Sequence, residues 1–553
     1  MEWRERSLNE LRGANLQTVQ GLHSATAVPN ALNVHDEAEG ASPEEFATPL
    51  VLSIDIGTSR IRARLFDRYL TPLPGFVASR PQAIHYSPED GRMEVDPDIV
   101  LASLLETLEE LLALINPSLP PSRLPIAAVG VSALWHSLLA VDVEGRPLTP
   151  ALLWGDRRSA PQAKSVQAEW GQDEYHRRTG AFIHPSFPAV QLRWWQEQDA
   201  ALCRSVQTWM SLPDYLYLQL FGPPVLTSFS LASGTGLLSY ATADWDDDVL
   251  RYLHLEREQL PRPAEIEWVR AGLRSPYRER LPRLARVPFL LPAGDGACDN
   301  LGQHALDSQH PAVMVATSAA ARILLPLAAL STPAPSLFSY RLLRDLVVVG
   351  GALSNGGNLL DWCRHTFLLP DDPAALQAEL AALPPASAHL QVSPDLAGRR
   401  SPDWPATAPV AGGTVAGLCL ETRPVEVVQA MLEAVAFQLH AIRHQLQSAR
   451  LIPGPVTWQA GGGALVNWPV WAQIIANVFG EPLALASSAE SSLRGAARLA
   501  LWAAGLLPSL TDLQCLPPPP GVTLQPDPAF HQLYQRLLAE DVASGPAHRP
   551  PAN

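Results

Sequence analysis

The stretch VLSIDIGTSRIRARLFD, Val51–Asp67, contains two apolar runs separated by a short polar turn. Apolar residues alternate on each side of the turn, with arginines interleaved in the second run, which predicts the two strands of a β-hairpin. The turn, Gly57-Thr58-Ser59, offers free backbone N–H groups and two hydroxyls beside the carboxylate of Asp55. That combination suits a phosphate and its metal ion, although an ordinary polar hairpin turn has the same composition.

A second stretch repeats this outline in the other half of the chain. VMVATSAAARILLP, Val313–Pro326, has an apolar run, a Thr-Ser turn, an arginine and another apolar run. Two similar hairpins, one near the start of each half, indicate two related domains that face each other across a cleft. Ligands of two-domain proteins usually lie between the domains, so we expect a nucleotide between the two turns.

Strand-like and helix-like segments alternate along the rest of the chain. IVLASLLETLEELLALI, Ile99–Ile115, has the apolar period of a helix, and the LPIAAVGVSAL that follows it is typical of a short buried strand. This alternation predicts an α/β fold. The break at LDSQHPA, near residue 306, indicates a domain boundary.

The composition limits the partners that this chain can have. With 553 residues, 47% of them apolar, the chain exceeds what one hydrophobic core usually organises, so at least two globular domains are expected. The 40 Lys and Arg residues against 55 Asp and Glu residues leave a net charge of −15. That charge argues against a nucleic acid or an anionic membrane as partner.

The cysteines and the N-terminus bear on the compartment. The five cysteines, which are far apart and show no paired spacing, support neither a zinc site nor a disulfide framework: Cys203, Cys298, Cys363, Cys419 and Cys515. No apolar run reaches the ~18 residues that span a bilayer, and MEWRERSLNELRG lacks the apolar stretch of a signal peptide. We therefore expect a cytoplasmic protein with reduced thiols. A homodimer is the assembly that base rates favour.

One long segment carries a specific resemblance. GVSALWHSLLAVDVEGRPLTPALLWGDRRS, Gly130–Ser159, resembles the sugar-binding stretch of the FGGY carbohydrate kinases, especially their gluconate-kinase-like branch. Further segments resemble that family in the same order, and with the first hairpin they cover residues 50 to 505: LPAGDGACDNLGQHA, GGALSNGGNLLDW, LAGRRSPDWPATAPVAGGTVAGL, AGGGALVNWPVWAQIIANVFGEPL and AESSLRGAARLAL.

The resemblance implies a fold and a function. The fold is an α/β fold of two RNase-H-like domains, as in actin and hexokinase, with a cleft between them. The implied division is a sugar-binding domain over 49–306, an ATP-binding domain over 307–510 and a C-terminal segment with a Pro-rich tail over 511–553. Residues 1–48 are polar and acidic without sustained periodicity, so we expect them to form a disordered N-terminal extension. The function is ATP-dependent phosphorylation of a sugar acid such as gluconate. Alternatives are a specificity like that of xylulose or glycerol kinases, or a catalytically weak sugar- or nucleotide-binding sensor.

The resemblance also implies the roles of individual residues. Asp295 would be the catalytic base, and Asp55 would hold Mg²⁺ through water. The residues expected on the sugar are His136, Ser137, Trp154, Asp156 and Arg157. The residues expected on ATP are Thr58, Ser59, Arg62, Thr317, Ser318, Gly357, Gly462, Gly463 and Asn467. Arg62 would either add positive charge or anchor the hairpin.

The chain departs from the family pattern at several positions. Two glycines of the second hairpin turn are replaced by Ala316 and Ala319, and Gln191 stands where relatives often carry a lysine. Arg399 replaces a glutamate, and Trp468 takes the place of a small polar residue, where it either stacks on the base or packs. We expect the turn to tolerate alanine because its hydroxyls remain. The missing lysine leaves Arg157, Arg158 or Arg193 to meet a sugar-acid carboxylate.

Overall fold

The computed structural model describes residues 47–87, 89–115, 124–404 and 412–544. The predicted extension over residues 1–48, apart from its last two residues, and the end of the Pro-rich tail lie outside the described residues.

The described residues form alternating strands and helices, with 3₁₀ turns at Arg257–Gln259, Pro282–Leu284 and Leu327–Ala329. The strands are β1 (Leu50–Ile56), β2 (Arg60–Phe66), β3 (Pro72–Pro81), β4 (His85–Ser87), β5 (Arg92–Val95), β6 (Ile126–Ala133), β7 (Leu139–Val141), β8 (Ala151–Leu152), β9 (Thr208–Met210), β10 (Leu226–Ser228), β11 (Arg262–Ala264), β12 (Ala293–Gly294), β13 (Ala312–Val315), β14 (Ala319–Pro326), β15 (Phe338–Leu343), β16 (Leu346–Leu353), β17 (Gln391–Ser393), β18 (Thr414–Ala416), β19 (Trp458–Gly461), β20 (Leu483–Ala486) and β21 (Gly521–Leu524). The helices are α1 (Pro97–Ala113), α2 (Ala160–Trp170), α3 (Gln172–Thr179), α4 (Pro188–Gln198), α5 (Ala200–Ser205), α6 (Leu212–Phe221), α7 (Phe229–Ser233), α8 (Asp247–Tyr252), α9 (Tyr277–Arg280), α10 (Asp295–Gly302), α11 (Gly357–Thr366), α12 (Pro373–Ala382), α13 (Pro424–Ser448), α14 (Gly463–Asn467), α15 (Pro469–Phe479), α16 (Ser491–Ala503) and α17 (Pro528–Ser544).

Each half of the chain builds a mixed sheet with the same local order. In the N-terminal half the strands run β12-β6-β1-β2-β3, with β1, β2 and β3 antiparallel and β6 and β12 parallel to β1. In the C-terminal half the order is β15-β16-β14-β13-β19-β20-β21, again with an antiparallel hairpin, β13 and β14, followed by parallel strands. Both predicted hairpins are present, and they occupy equivalent places in the two sheets.

The alternating pattern of the first hairpin explains its placement. Ile61, Ala63 and Leu65 are fully buried, whereas the arginines between them lie at the surface or are half-buried. The register pairs Asp55 with Arg62 across the hairpin, and Gly57 N donates to Arg60 O at 3.1 Å to close the turn. The predicted helix over Ile99–Ile115 is α1, whose leucines pack beneath this sheet.

Helices α10 and α16 pack against each other between the sheets. A Cβ at Gly495 of α16 would lie 1.8 Å from the Cys298 carbonyl oxygen of α10, so the two helices approach at a distance that glycine alone permits. Ser53 of β1 donates to the Leu493 carbonyl at 2.6 Å and ties α16 to the N-terminal sheet. The C-terminal half therefore contributes a helix to the core beneath the N-terminal sheet, and this packing positions the start of α10.

The segment near residue 306, where the sequence suggests a domain boundary, lies between α10 and β13. Past residue 510 the chain stays attached to the C-terminal half, because β21 pairs with β20 and Tyr534 of α17 donates to Glu433 of α13 at 2.8 Å.

One helix of the described residues, α13, is long and apolar enough to cross a membrane by length and composition alone. In this structure 67% of its most apolar window is buried inside the protein. It is the central core helix of the C-terminal half, where Val428, Leu432 and Leu439 are fully buried.

Candidate active site

Two of the predicted carboxylates lie at one edge of the N-terminal sheet. Because β1, β6 and β12 are parallel, their carboxyl ends meet at the same edge. Asp55 is near the end of β1, Ser132 lies beside it on β6, and Asp295 follows β12 as the first residue of α10. The Asp55 carboxylate accepts from Ser132 Oγ at 2.8 Å and from Arg62 Nη2 at 2.6 Å. In this structure Arg62 therefore anchors Asp55 across the hairpin.

Asp295 has the electrostatic properties of a general base. Burial, together with the negative charge of Asp55, raises its pKa from an ordinary 3.8 to about 6, while Arg322 and a hydrogen bond from Gly296 N act in the opposite direction. That hydrogen bond reaches Asp295 Oδ1 at 2.8 Å. A carboxylate with a pKa just below neutrality is ionised at pH 7 and still binds a proton well, as proton abstraction from a hydroxyl requires.

The turn of the first hairpin meets the predicted sugar stretch. Trp154 Nε1 donates to the Thr58 hydroxyl at 3.0 Å, although the two residues are 96 positions apart. Ser59 lies in the same turn, with an exposed side chain and a carbonyl that accepts from Gln82 N at 2.8 Å. Residues predicted for phosphate and for sugar are therefore direct neighbours.

The turn of the second hairpin packs against two helix starts. Gly357 N donates to the Ala316 carbonyl at 2.6 Å, and Asn358 N donates to the Thr317 carbonyl at 3.2 Å. On the other side, Gly462 has φ +91°, and a Cβ there would lie 2.4 Å from the Val315 carbonyl oxygen. Thr317 and Ser318, Gly357 and the Gly462-Gly463 turn thus come together, and the first N–H groups of α11 hold the second hairpin turn in place.

The alanines of this turn need no glycine-like backbone. Neither Ala316 nor Ala319 has positive φ. Ala319 begins β14 and is fully buried. The two alanines therefore cause no backbone strain that would weaken phosphate binding at this turn.

Asn467 and Trp468, which follow the Gly462-Gly463 turn in the chain, contact α12 and α11. Asn467 is exposed at the end of α14, and its carbonyl accepts from Gln377 Nε2 at 3.2 Å. Trp468 is buried in the core of the C-terminal half, with the Arg364 guanidinium 5.6 Å from its ring centroid. Of the two alternatives for Trp468, the structure has the packed one.

Among the residues predicted on the sugar, His136 is held as a neutral imidazole. Its Nδ1 lies 2.6 Å from the Gly234 carbonyl, which only accepts, so Nδ1 donates and Nε2 is left as an acceptor. Burial, with the positive charge of Arg400, lowers the pKa of His136 to about 3. Ser137 is buried, and its hydroxyl accepts from Leu212 N at 3.0 Å at the start of α6.

Asp156 makes its contacts within the protein. Its carboxylate accepts from Met93 N at 2.9 Å and from Arg158 Nη2 at 2.7 Å, and it is almost fully buried. Arg158 also donates to Glu94 at 2.5 Å. This ion-pair cluster supports the turn that carries Trp154 and Arg157, while the sugar contact predicted for Asp156 stays a prediction.

A cavity of about 190 Å³ opens beside Trp154, with lining from both halves of the chain. Its lining comprises Glu89, Asp90, Gly91, Trp154, Gly155, Arg157, Ala160, His184, Pro185 and Ser186 from the N-terminal half, and Ser354, Ala397, Gly398 and Arg399 from the C-terminal half. Arg157 lines this cavity, and its guanidinium makes no ion pair or hydrogen bond with the described residues. A guanidinium that lines a cavity and has no carboxylate partner is a natural site for an anionic ligand.

Two residues near the cavity, His184 and Arg400, were not among the site residues predicted from the sequence. His184 accepts from Ser186 N at Nδ1 and donates from Nε2 to the Arg399 carbonyl at 3.2 Å. Arg400 is buried over the Trp154 ring, 4.9 Å from its centroid, and the negative charge of Asp295 acts on it. Arg400 thus links the wall of the cavity to the candidate base.

Comparison with known proteins supports the assignment to a family. Models of the N-terminal and C-terminal domains of the FGGY family of carbohydrate kinases match residues 50–302 and 312–504. The chain is 28% identical to a gluconokinase of Bacillus subtilis (strain 168), over 84% of this chain and 89% of that protein. It superposes on a gluconate kinase structure from Lactobacillus acidophilus with a TM-score of 0.79 and 26% identity, covering 91% of this chain and 99% of that one. A xylulose kinase from the same species gives a TM-score of 0.80, with the same identity and coverage. The two domain matches, with which the paired hairpins agree, place this chain in the FGGY family of carbohydrate kinases.

Proposed function

We propose that this carbohydrate kinase transfers the γ-phosphoryl group of ATP to a hydroxyl of a sugar acid such as gluconate, with Asp295 as the base. ATP is the phosphate donor of the family, and an alcohol group is the acceptor. The observation that carries the choice of a sugar acid is the guanidinium of Arg157, which lines the cavity beside Trp154 and has no partner among the described residues.

The other arginines considered for the substrate carboxylate are already engaged. Arg158 is paired with Asp156 and Glu94. Arg193 is paired with Glu197 at 3.0 Å and does not line the cavity. Gln191, at the position where relatives often carry a lysine, is fully buried and directs its amide to the Leu153 and Pro185 carbonyls. Arg157 is therefore the cation that we assign to the sugar-acid carboxylate.

The rest of the cavity suits a polyhydroxy chain. Trp154 presents an apolar ring for the carbon skeleton, and the exposed carboxylate of Glu89 can accept hydrogen bonds from hydroxyls, while the charge of Asp90 is paired with Arg92. A sugar acid carries one carboxylate, which suits the unpaired Arg157, and several hydroxyls, which suit the hydrogen-bond acceptors of the lining.

In the transfer step that we propose, Asp295 acts as the base. As the substrate hydroxyl oxygen bonds to the γ-phosphorus, Asp295 takes the hydroxyl proton, and the bond from phosphorus to the bridging oxygen breaks to leave ADP. Thr58, Ser59, Thr317 and Ser318 would hydrogen-bond the phosphates from the two hairpins. Arg157 and Trp154 hold the acceptor in place, which is the main contribution that phosphoryl transfer requires of a protein.

The carboxylates present fit a magnesium ion. Mg²⁺ prefers hard oxygen ligands and keeps several waters, so a single carboxylate such as Asp55 beside the nucleotide phosphates is a sufficient protein contribution. The negative charges of Asp55 and Asp295 act on each other, as the raised pKa of Asp295 indicates. A bound Mg²⁺ would neutralise charge on the transferring phosphates.

The proposal is tested by ADP release in a coupled assay with MgATP and a panel of gluconate, xylulose, ribulose, glycerol and erythritol. We expect the highest kcat/KM for gluconate. Arg157→Ala should lower that value by ~10²-fold, because one charged hydrogen-bonded contact is lost. A clear preference of the wild-type enzyme for a neutral member of the panel would contradict the choice of a sugar acid.

A further inference from the structure

Arg399 lines the same cavity as Arg157 but comes from the C-terminal half of the chain. Its Nε is buried without a hydrogen-bond partner among the described residues. Its Nη2 donates to Asp403, a carboxylate that is 51% exposed, and its Nη1 lies 3.9 Å from Asp395. Asp403 is well screened by water, whereas Asp395 is buried but lies at the limit of ion-pair distance, so the two carboxylates leave part of the positive charge of Arg399 available to the cavity.

The segment that carries Arg399 is anchored on both sides. The Arg399 carbonyl accepts from His184 Nε2 of the other half at 3.2 Å. Asn355 donates to the Gly398 carbonyl at 3.0 Å and accepts from Ala397 N at 2.8 Å. Arg400, the next residue, donates to the Leu353 carbonyl at 2.6 Å. Position 399 is therefore held at the cavity by its backbone, whatever side chain it carries.

The sign of the charge at this position matters for a substrate that bears a carboxylate. Arg157 has no carboxylate among the described residues within ion-pair distance, whereas Arg399 has two, so Arg157 is the less neutralised cation of the two. A glutamate at position 399, as in the family pattern that this chain resembles, would add a negative charge to the lining and repel a sugar acid. Arg399 instead adds positive charge to the lining, which attracts the carboxylate of a sugar acid.

We propose that Arg399 is a specificity-determining residue, which together with Arg157 selects a carboxylate-bearing sugar over a neutral sugar of similar length. This inference rests on the proposed function, since it assumes that the cavity beside Trp154 receives the acceptor. Arg157 supplies the contact from the N-terminal half, and Arg399 supplies positive charge from the C-terminal half. Arg399 takes no part in proton transfer.

The test is a comparison of kcat/KM for gluconate and for xylulose in Arg399→Glu, Arg399→Gln and Arg399→Lys. Arg399→Glu should lower kcat/KM for gluconate by ~10-fold or more and change that for xylulose by less than ~3-fold, because only the charged substrate feels the reversed sign. Arg399→Gln should lie between, and Arg399→Lys should keep the preference. Arg204→Glu, on the exposed face of α5 and outside the cavity lining, is the matched charge-reversal control.

The outcomes distinguish a failure of the proposed function from a failure of the role proposed for Arg399. If wild-type enzyme does not prefer gluconate, the proposed function fails before any variant is made. If wild-type enzyme prefers gluconate and Arg399→Glu and Arg399→Gln keep that preference, or lose both substrates equally while remaining folded by circular dichroism, the role of Arg399 is refuted and the proposed function stands.

Discussion

The guanidinium of Arg322 donates to the Asp299 carboxylate at 2.6 Å and to the Asn300 side-chain oxygen at 3.0 Å. Arg322 lies on β14 of the second hairpin, and both acceptors lie on α10, which begins at Asp295. The strand that follows the Thr317-Ser318 turn is thus joined to the helix of the candidate base by a buried ion pair.

We expect Arg322→Met to destabilise the protein by ~3–5 kcal/mol, because removing one partner leaves the buried carboxylate of Asp299 uncompensated. The matched control is Arg64→Met, in the corresponding strand of the first hairpin. Its partner Glu490 is 24% exposed and keeps some contact with water, so the loss should be smaller, ~1–2 kcal/mol. The free energy of unfolding in urea measures both, and equal small losses would show that the Arg322 pair does not hold the halves together.

The pH dependence of kcat/KM should report the ionisation of Asp295. Burial and Asp55 raise its pKa to about 6 in the folded protein, and a base must be deprotonated to accept the hydroxyl proton. Activity should therefore be level above about pH 7 and fall roughly tenfold per pH unit below about 6. A profile that is flat down to pH 4.5 would exclude this carboxylate as the base.

The raised pKa of Asp295 also affects stability, which should fall as pH rises while activity increases. Since the folded pKa of Asp295 lies above its ordinary value of 3.8, the folded state binds the proton more tightly, and this carboxylate lowers stability as pH rises through about 6. Asp295→Asn should then be more stable than wild type at pH 8, by at most ~3 kcal/mol, with the gain shrinking toward pH 4. Thermal unfolding without nucleotide at the two pH values measures it. A gain independent of pH would mean that ionisation is not its source.

The alanines of the second hairpin should be neutral for catalysis. Because Ala316 and Ala319 have ordinary backbone angles, we expect Ala316→Gly and Ala319→Gly to change kcat/KM by less than ~3-fold. Ala319→Gly should lower stability by ~0.5–1 kcal/mol, as glycine does within a strand. An activity gain of tenfold or more in either variant would show that the alanine side chains obstruct the phosphates.

Local patterns in the sequence predicted much of the fold. The alternation around Asp55 predicted the first hairpin, the repeated outline around Thr317 predicted the second, and the period of Ile99–Ile115 predicted α1, because each pattern depends on residues that are close in sequence. The family resemblance pointed to Asp295, and the structure places it at the sheet edge beside Asp55 and Ser132.

The contacts that cross between the halves could not be predicted in this way. His184 meets Arg399 over a separation of 215 residues, and Arg400 reaches Trp154 from the other half. In the sequence alone, nothing indicates that these residues from distant parts of the chain come into contact. The same holds for Ser137 and Asp156, where the residue types suit a polyol but the structure shows contacts to Leu212 and Arg158.

Asp295→Asn tests the central claim most directly, since it keeps the volume of the side chain and removes the base. With MgATP and gluconate, kcat should fall by ~10²-fold or more, while gluconate affinity by calorimetry should stay within ~3-fold of wild type. Asp173→Asn, an exposed carboxylate on α3, is the control and should be unchanged. Turnover by Asp295→Asn within a few-fold of wild type would contradict the assignment of Asp295 as the base.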